Sequence, residues 1–460
     1  MRSWLPLAVA AAACAPSRQE LFDPVARDVH ARTGARVTWR GGEGRPPEVE
    51  RAIDRLLARP LDADAAARVA LLARPAVQAA FEELGASAAD LAGAVAPARA
   101  EAELELRTET GSGDQSELEL AVVTDLLDLA TLPGRRGAAR AGIEAARARA
   151  TRTAIDVAAE ARIALYRTAA AEQVLAMRRS AHEASAASTE LARRLRAAGN
   201  TTALALAQEE ALAEQTQLDL AGAEAAHDEA REALAAALGL AAADTRMRAM
   251  EELPDPPPLP PDLAQLDAVA IDRSLELGAL RWRGEAAARR LGVARWRSFL
   301  PELGAGASAQ RSSESGWSVG PALRLSIPLL DWGQGERGRA ASELRRARRL
   351  HEDGAIRLRA AARTAARRLV AARERAIRLR DVLVPLRARI ADETLLQYNA
   401  MRATPFELVA ARQAQIDARR QYVEALRDTW IAAAEVDRLR AGGTATAPGA
   451  PRTSDTEVEE

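Results

Sequence analysis

Most of the chain repeats apolar residues at the spacing of an α-helix, and a few shorter segments alternate apolar and polar residues. Helical spacing covers about residues 64–99, 132–198 and 202–238, and again about residues 262–299, 333–400 and 404–440. Alternation typical of a strand marks residues 103–109, 117–122 and 317–329, and a weaker form covers 303–310. We therefore expect a mainly α-helical fold with a small β part.

The two halves follow one order of helix, strand, strand, helix, helix. Leu126-Leu127-Asp128 recurs as Leu329-Leu330-Asp331, and residues 198–201 have counterparts at 401–404, both at an offset of 203. Between the halves, residues 253–261 contain six prolines, through which a helix cannot continue. The predicted segments are an N-terminal extension at 14–60, a first repeat at 61–253, a stiff linker at 254–261, a second repeat at 262–440 and a disordered tail at 441–460.

The predicted helices are long enough to form a rod. Each half has one helix of about 67 residues and two of about 37, and at 1.5 Å per residue the long helix measures about 100 Å. Val409, Ile416, Val423 and Trp430 lie seven residues apart, which is the spacing of a coiled-coil seam. We therefore expect paired helices that run side by side.

The alternating segments predict strands with one apolar and one polar face. The residues expected to face lipid are Leu118, Leu120, Val122, Trp317, Val319, Leu323, Leu325 and Ile327. A strand of about 9 to 11 residues suits a tilted crossing of a bilayer. Four strands cannot close a membrane barrel, which needs about eight, so several copies would share one. The alternative is a soluble sheet packed on helices.

The first residues resemble a bacterial export signal. Arg2 precedes a short apolar stretch at residues 4–13, and Ala11-Ala12-Ala13-Cys14 resembles a lipobox, in which the cysteine is acylated. This predicts a signal peptide at 1–13 and a lipid anchor on Cys14. The alternative is an ordinary cleavage site beside a cysteine.

Composition argues against several functional classes. All 64 basic residues are arginine, and 65 acidic residues bring the net charge to -1, so no overall basic field favours nucleic acid. The single cysteine excludes a disulfide framework, and the four histidines are isolated. Residues 333–338 spell G-x-G-x-x-G, but the long helical pattern that follows does not suit a dinucleotide site. We predict no catalytic residue, metal or cofactor, and therefore no enzyme.

Several motifs in this order resemble the TolC family of outer-membrane efflux proteins. They are Phe299-Leu300-Pro301-Glu302-Leu303, Leu325-Ser326-Ile327-Pro328-Leu329-Leu330-Asp331-Trp332-Gly333-Gln334, Gln397-Tyr398-Asn399-Ala400-Met401 and Phe406-Glu407-Leu408-Val409-Ala410-Ala411-Arg412. The Tyr398-Asn399-x-Met401 stretch is similar to the heavy-metal and copper-efflux branch. The resemblance implies a homotrimer in which twelve strands form an outer-membrane barrel above a helical periplasmic tunnel. It also implies a periplasmic adaptor and an inner-membrane transporter as partners.

The same resemblance places the turns at 198–202 and 400–405 at a periplasmic tip that closes the pore. The tip residues are Gly199, Asn200, Thr201, Met401, Arg402, Thr404 and Pro405. We expect Thr201 and Thr404 to cap the returning helices, and Arg402, as the counterpart of Gly199, to form a ring of three charges. The alternative for each residue is a connector without a gating role. The alternative for the whole chain is a periplasmic adaptor protein of an efflux pump.

Overall fold

The structure is a computed structural model that describes residues 16–42, 44–95, 100–109, 115–240, 247–299, 302–312, 316–326 and 333–445. The chain forms two compact units. The sheet unit consists of Met1–Val25, Ala79–Thr151 and Leu275–Ala355, and the hairpin unit consists of Ala26–Gln78, Arg152–Ser274 and Ile356–Glu460.

Helices dominate the described residues, which confirms the prediction of a mainly α-helical chain with a small β part. They are α1 Arg18–Thr33, α2 Pro47–Leu57, α3 Ala63–Ala73, α4 Pro75–Val95, α5 Leu126–Ala197, α6 Ala203–Leu238, α7 Leu266–Arg273, α8 Leu275–Phe299, α9 Gln334–Arg378, α10 Val384–Asn399 and α11 Pro405–Arg440. The strands are β1 Ala100–Glu109, β2 Gln115–Asp125, β3 Glu302–Ser312 and β4 Gly316–Ser326. From α4 onward, the order of helix, strand, strand, helix, helix occurs twice when α9 and α10 are taken as one continuous helix, and α7 lies between the two copies.

Two of the predicted helices are each interrupted by one extended residue. Arg74 has a ψ of 125° between α3 and α4, because the proline that follows it disfavours the helical region for the preceding residue. Ser274 has a ψ of 116° between α7 and α8. The predictions of single helices at 64–99 and 262–299 are therefore wrong at these positions.

Helix α5 begins directly where β2 ends and continues through Pro133. The predicted start near residue 132 is therefore six residues late, or about 1.7 turns. Pro133 lacks the amide that would bond the Leu129 carbonyl, and side chains bond two neighbouring carbonyls of the same turn. Here the Thr131 hydroxyl donates to the Leu127 carbonyl at 2.9 Å, and Arg135 donates to the Asp128 carbonyl at 3.0 Å.

The corresponding helix of the second half contains a π-helical segment at Leu379–Leu383 between α9 and α10. Pro385 follows in the first turn of α10 and lacks the amide that would continue the regular ladder. A single wide turn before the proline lets the chain remain helical.

All four strands form one antiparallel sheet in the order β1-β2-β3-β4. The β2–β3 pairing joins the two halves of the chain. Gly306 permits this pairing, because a Cβ at that position would lie 1.8 Å from the Val122 carbonyl oxygen. Gly304 has the same role against Val123, whose side chain a Cβ would meet at 2.5 Å.

The hairpin unit buries aliphatic side chains where its long helices pack together. Tyr166 stacks on Trp430 with a centroid separation of 5.3 Å, and the Trp430 indole donates to the Pro254 carbonyl at 2.8 Å. Of the other proposed seam residues on α11, Val423 is buried, while Val409 and Ile416 are half-buried.

The prediction of disorder from residue 441 onward is wrong for residues 441–445. Gly442 and Gly443 are buried, and Thr444 donates both its amide, at 2.8 Å, and its hydroxyl, at 2.5 Å, to the Asp156 carboxylate. The Asp156 carboxylate on α5 therefore holds the chain in place just beyond the end of α11. The remainder of the predicted tail, 446–460, lies outside the described residues.

Candidate functional site

One face of the sheet presents apolar side chains to the exterior of the sheet unit. The register places Leu104, Leu120, Ala309 and Val319 in one row across the four strands, and Leu303 opposite Leu325 in another. Val319 is 77% exposed and Leu323 is 79% exposed. The other exposed large apolar residues on this face are Leu104, Leu120, Val122, Leu303, Trp317 and Leu325. No described element of the sheet unit covers this face.

The opposite face carries polar side chains. Glu119, Gln310 and Ser318 lie in one row of the register, and Arg324 occupies the same face nearer to the helices. Antiparallel neighbours in one row point to the same side, so most polar and apolar residues separate between the two faces. Two exceptions are Arg311, which lies on the apolar face over the Trp317 ring, and Val123, which is buried on the polar face. Leu118 is half-buried, and Ile327, also predicted to face lipid, lies outside the described residues.

Strands β1 and β4 are the edges of the described sheet and each pairs on one side only. Pro321 lies on β4, and an edge strand tolerates a residue without an amide donor. Open edges pair readily with further strands unless something blocks them. Both edges of the described sheet therefore present backbone groups without a strand partner, and Pro321 removes one donor from β4.

The first tip turn follows α5. Gly199 adopts a φ of 77°, and the amide of Asn200 donates to the Leu195 carbonyl at 2.8 Å, which is the bond pattern of a Schellman motif. Thr202 then caps α6, because its hydroxyl accepts from the Ala205 amide at 3.1 Å. The prediction that Thr201 is the cap is wrong, since the turn uses one more residue than the offset of 203 between the two halves implies.

The second tip turn follows α10 with the same hydrogen bonds. Met401 adopts a φ of 58°, and the Arg402 amide donates to the Gln397 carbonyl at 2.8 Å. Structurally, Met401 therefore replaces Gly199 and Arg402 replaces Asn200, an offset of 202. The prediction that Arg402 is the counterpart of Gly199 is wrong by one residue.

Helix α11 begins with a full capping box. The Thr404 hydroxyl accepts from the Glu407 amide at 3.2 Å, and the Thr404 amide donates to the Glu407 carboxylate at 2.7 Å. Pro405 occupies the first turn, where a missing amide donor costs little. The predicted roles of Thr404 and Pro405 at the start of this helix are confirmed. The bond from the Thr404 amide also lowers the pKa of Glu407, because it stabilises the charged carboxylate.

The proline-rich linker is bound along the helices of the hairpin unit. Arg373 donates to the Pro257 carbonyl at 2.9 Å, and Asp255 accepts from Arg380 and from the Tyr422 hydroxyl, each at 3.4 Å. Burial, together with the nearby carboxylate of Asp255, raises the pKa of Tyr422. Arg380 lies in the π-helical segment, so the linker contacts the irregular turn of the long helix.

Clusters of metal-ligating or reactive side chains are sparse in the described part of the chain. No group of three or more metal-ligating side chains occurs there. His227 lies 3.9 Å from Glu172, whose pKa burial raises, and His182 lies 3.5 Å from the Thr216 hydroxyl. The glycine-rich stretch from Gly333 turns the chain into α9 beside Ser298, next to an antiparallel sheet. Cys14 lies outside the described residues.

No helix among the residues described has both the length and the apolar composition that a bilayer crossing requires.

The chain is similar to solved structures of outer-membrane channels. The outer membrane protein VceC from Vibrio cholerae is 16% identical, with a TM-score of 0.65 over 86% of this chain and 96% of its own. The CmeC outer membrane channel of Campylobacter jejuni is 14% identical, with a TM-score of 0.65 over 86% of each chain. The open state of the MtrE outer membrane channel of Neisseria gonorrhoeae is 18% identical, with a TM-score of 0.57 over 86% of this chain and 89% of its own.

These similarities establish the fold as that of outer-membrane channels. The mainly helical chain fold expected from the TolC resemblance is thereby confirmed, while the homotrimer, the twelve-stranded barrel and the copper-efflux branch stay predictions. Neither a protein-family model nor a curated protein sequence matches the chain.

Proposed function

We propose that this chain is the outer-membrane channel subunit of a tripartite efflux system and acts as a passive conduit without a catalytic residue. The observation that carries the proposal is the four-stranded sheet, whose apolar face is exposed and whose opposite face is polar. The channel fold of the similar structures supports it. A periplasmic adaptor is not favoured, because those structures are outer-membrane channels.

The strand dimensions suit a bilayer. Strands of 11 residues, such as β3 and β4, extend about 36 Å, and a tilt of about 40° reduces the height to about 28 Å. The apolar band of bacterial outer-membrane barrels is about 25 Å tall. Lipid would contact the face that carries Val319 and Leu323, and water in the lumen would contact the face that carries Glu119.

Closure of the barrel requires other copies. One chain supplies four strands, and the smallest membrane barrels have about eight. A homotrimer of twelve strands, as the TolC resemblance implies, would pair β4 of each protomer with β1 of the next. Such pairing would satisfy the open edges of the sheet.

The two tip turns are the proposed periplasmic end and the contact site for an adaptor and an inner-membrane transporter. Met401 is 95% exposed and Arg402 is also exposed, so both side chains are available to a partner. The remaining proposed tip and gate residues are Gly199, Asn200, Thr201, Thr404 and Pro405. Location in the outer membrane, with Cys14 acylated after removal of residues 1–13, completes the proposal.

The test is to purify the full chain from outer membranes in detergent and compare boiled with unboiled samples on a gel, with the oligomer mass measured by native mass spectrometry. A trimeric barrel migrates anomalously until boiled. Amine-reactive cross-linkers are unsuitable, because the chain contains no lysine. A monomer in the soluble fraction would overturn the channel, whereas a membrane-bound protein without heat-modifiable migration would favour the adaptor.

A further inference from the structure

The helices that join the sheet carry a concentrated positive charge. Helix α8 has six arginines and two carboxylates, the first 16 residues of α9 have the same numbers, and the first 24 residues of α5 have five arginines and two carboxylates. Helix α4 contributes three carboxylates and no arginine. The segments together hold eight more arginines than carboxylates, in a chain whose net charge is -1.

A groove of about 450 Å³ opens between α5, α8 and α9 in the sheet unit. Arg135, Arg290, Arg297 and Arg339 line it together with Glu336 and Glu343, over a floor of alanine and valine. The volume is within the range of small-molecule sites. The helices approach closely here because a Cβ on Gly134 or Gly137 of α5 would collide with side chains of α8.

The charge of the groove is only partly neutralised. Arg135 and Arg297 share one carboxylate, Asp128, at 3.8 and 2.5 Å, and Arg339 pairs with Glu343 at 3.2 Å. Arg290 forms no ion pair with any described residue. Arginine is the usual residue for binding a phosphate through two parallel hydrogen bonds, because its guanidinium group is planar.

The groove lies at the sheet end of its three helices. Arg297 is two residues before the end of α8, and β3 begins three residues after that end. Arg135 is nine residues into α5, or about 14 Å from β2. Trp296 precedes Arg297 in the chain and is 64% exposed, and tryptophans of membrane-spanning proteins concentrate at the interface between lipid and water.

We propose that this groove binds the phosphate of an anionic glycerophospholipid in the periplasmic leaflet of the outer membrane. The inference rests on the proposed function, because it requires the apolar face to lie in lipid. Arginines near a membrane surface each contribute about 1 kcal/mol to the attraction of anionic lipid. Removing two of them should therefore weaken binding about 30-fold.

The experiment uses the full chain purified in a non-ionic detergent and titrated with mixed micelles containing either phosphatidylglycerol or phosphatidylcholine. Native mass spectrometry counts the lipids retained per chain. We expect wild type to retain phosphatidylglycerol in preference to phosphatidylcholine and Arg290→Gln/Arg297→Gln to lose that preference. Arg290→Lys should retain a weaker preference, because its ammonium keeps the charge but not the two parallel hydrogen bonds. The matched control is Arg349→Gln, which removes an exposed arginine ten residues further along α9 than Arg339 and should retain the lipid.

Inorganic phosphate, titrated separately, distinguishes a free anion from a lipid headgroup. Arginine-dependent binding of inorganic phosphate without a preference for phosphatidylglycerol would overturn the lipid assignment. Equal losses in Arg349→Gln and in the double variant would overturn the groove in favour of diffuse surface charge. Unchanged retention in the double variant would also overturn the proposal. Heat-modifiable migration, measured on the same samples, reports separately on the channel itself.

Discussion

The backbone of Met401 allows a clean test of strain at the second tip turn. Its φ of 58° lies in the left-handed region, which costs an L-residue about 1 to 2 kcal/mol. The side chain is 95% exposed, so a substitution loses almost no packing. Met401→Gly removes the strain but adds about 0.4 to 1 kcal/mol of chain entropy to the unfolded turn. The net expectation is a turn more stable by about 0.5 to 1 kcal/mol.

Hydrogen exchange measured by mass spectrometry on peptides covering 396–408 detects a change of this size. Exchange from locally opened states should slow about 2- to 5-fold in Met401→Gly. Met401→Ala is the matched control, because it removes the side chain and keeps the strained backbone, and it should exchange like wild type. Gly199→Ala in the first turn should show the opposite change, since Gly199 has a φ of 77° and open space where a Cβ would be. Equal protection in the glycine and alanine variants at position 401 would refute the strain argument.

Three other changes test the remaining assignments. Thr202→Ala should destabilise the start of α6 by about 1 kcal/mol, which faster amide exchange in its first turn would show. Thr201→Ala should leave that turn unchanged, and equal effects of the two variants would contradict the observed cap. Leu323→Arg should destabilise the membrane-inserted sheet by about 2 to 4 kcal/mol and reduce the heat-modifiable fraction, whereas Ser308→Arg on the opposite face should not; equal losses would contradict the assignment of faces. Because the pKa of Glu407 is lowered, the bond from the Thr404 amide to its carboxylate stabilises the helix start fully above the ordinary glutamate pKa of about 4.3, and this stabilisation is lost as the pH falls through the folded-state pKa. Amide exchange at 404–407 should show this pH dependence, and Glu407→Gln should abolish it.

The sequence pattern predicts the order of helices and strands, because apolar residues recur with a period of 3.6 in a helix and of 2 in a strand. The predicted end of α6 at residue 238 and the predicted end of α11 at residue 440 match the structure. The interruption at Arg74 is readable in principle, since Pro75 follows it. The start of α5 could not be predicted from the sequence, because Pro133 suggests a helix start there. The actual start depends on β2 continuing directly into the helix.

The tip shows where comparison of the two halves fails. The repeat suggests an offset of 203, but the hydrogen bonds of the two turns align at 202, so Thr202 rather than Thr201 caps α6. A capping box is visible in the sequence at Thr404 and Glu407, which fixes the second turn. Helix α6 has no equivalent acid, so the two adjacent threonines cannot be distinguished without coordinates. The roles of Gly304 and Gly306 were also missed, because they depend on the register of β3 against β2.

The difference between the two tip turns bears on their function. Both use the same Schellman bond and the same threonine cap, yet the left-handed position holds Gly199 in one and Met401 in the other. Glycine satisfies that backbone without strain, so a methionine there must be explained by its side chain. That side chain packs against almost nothing in the described chain, since it is 95% exposed. Unfavourable backbone conformations are retained mainly at functional sites. An exposed, flexible apolar group on a strained turn is therefore better explained by contact with another molecule than by stability of the hairpin, which favours the proposed adaptor contact over a simple connector.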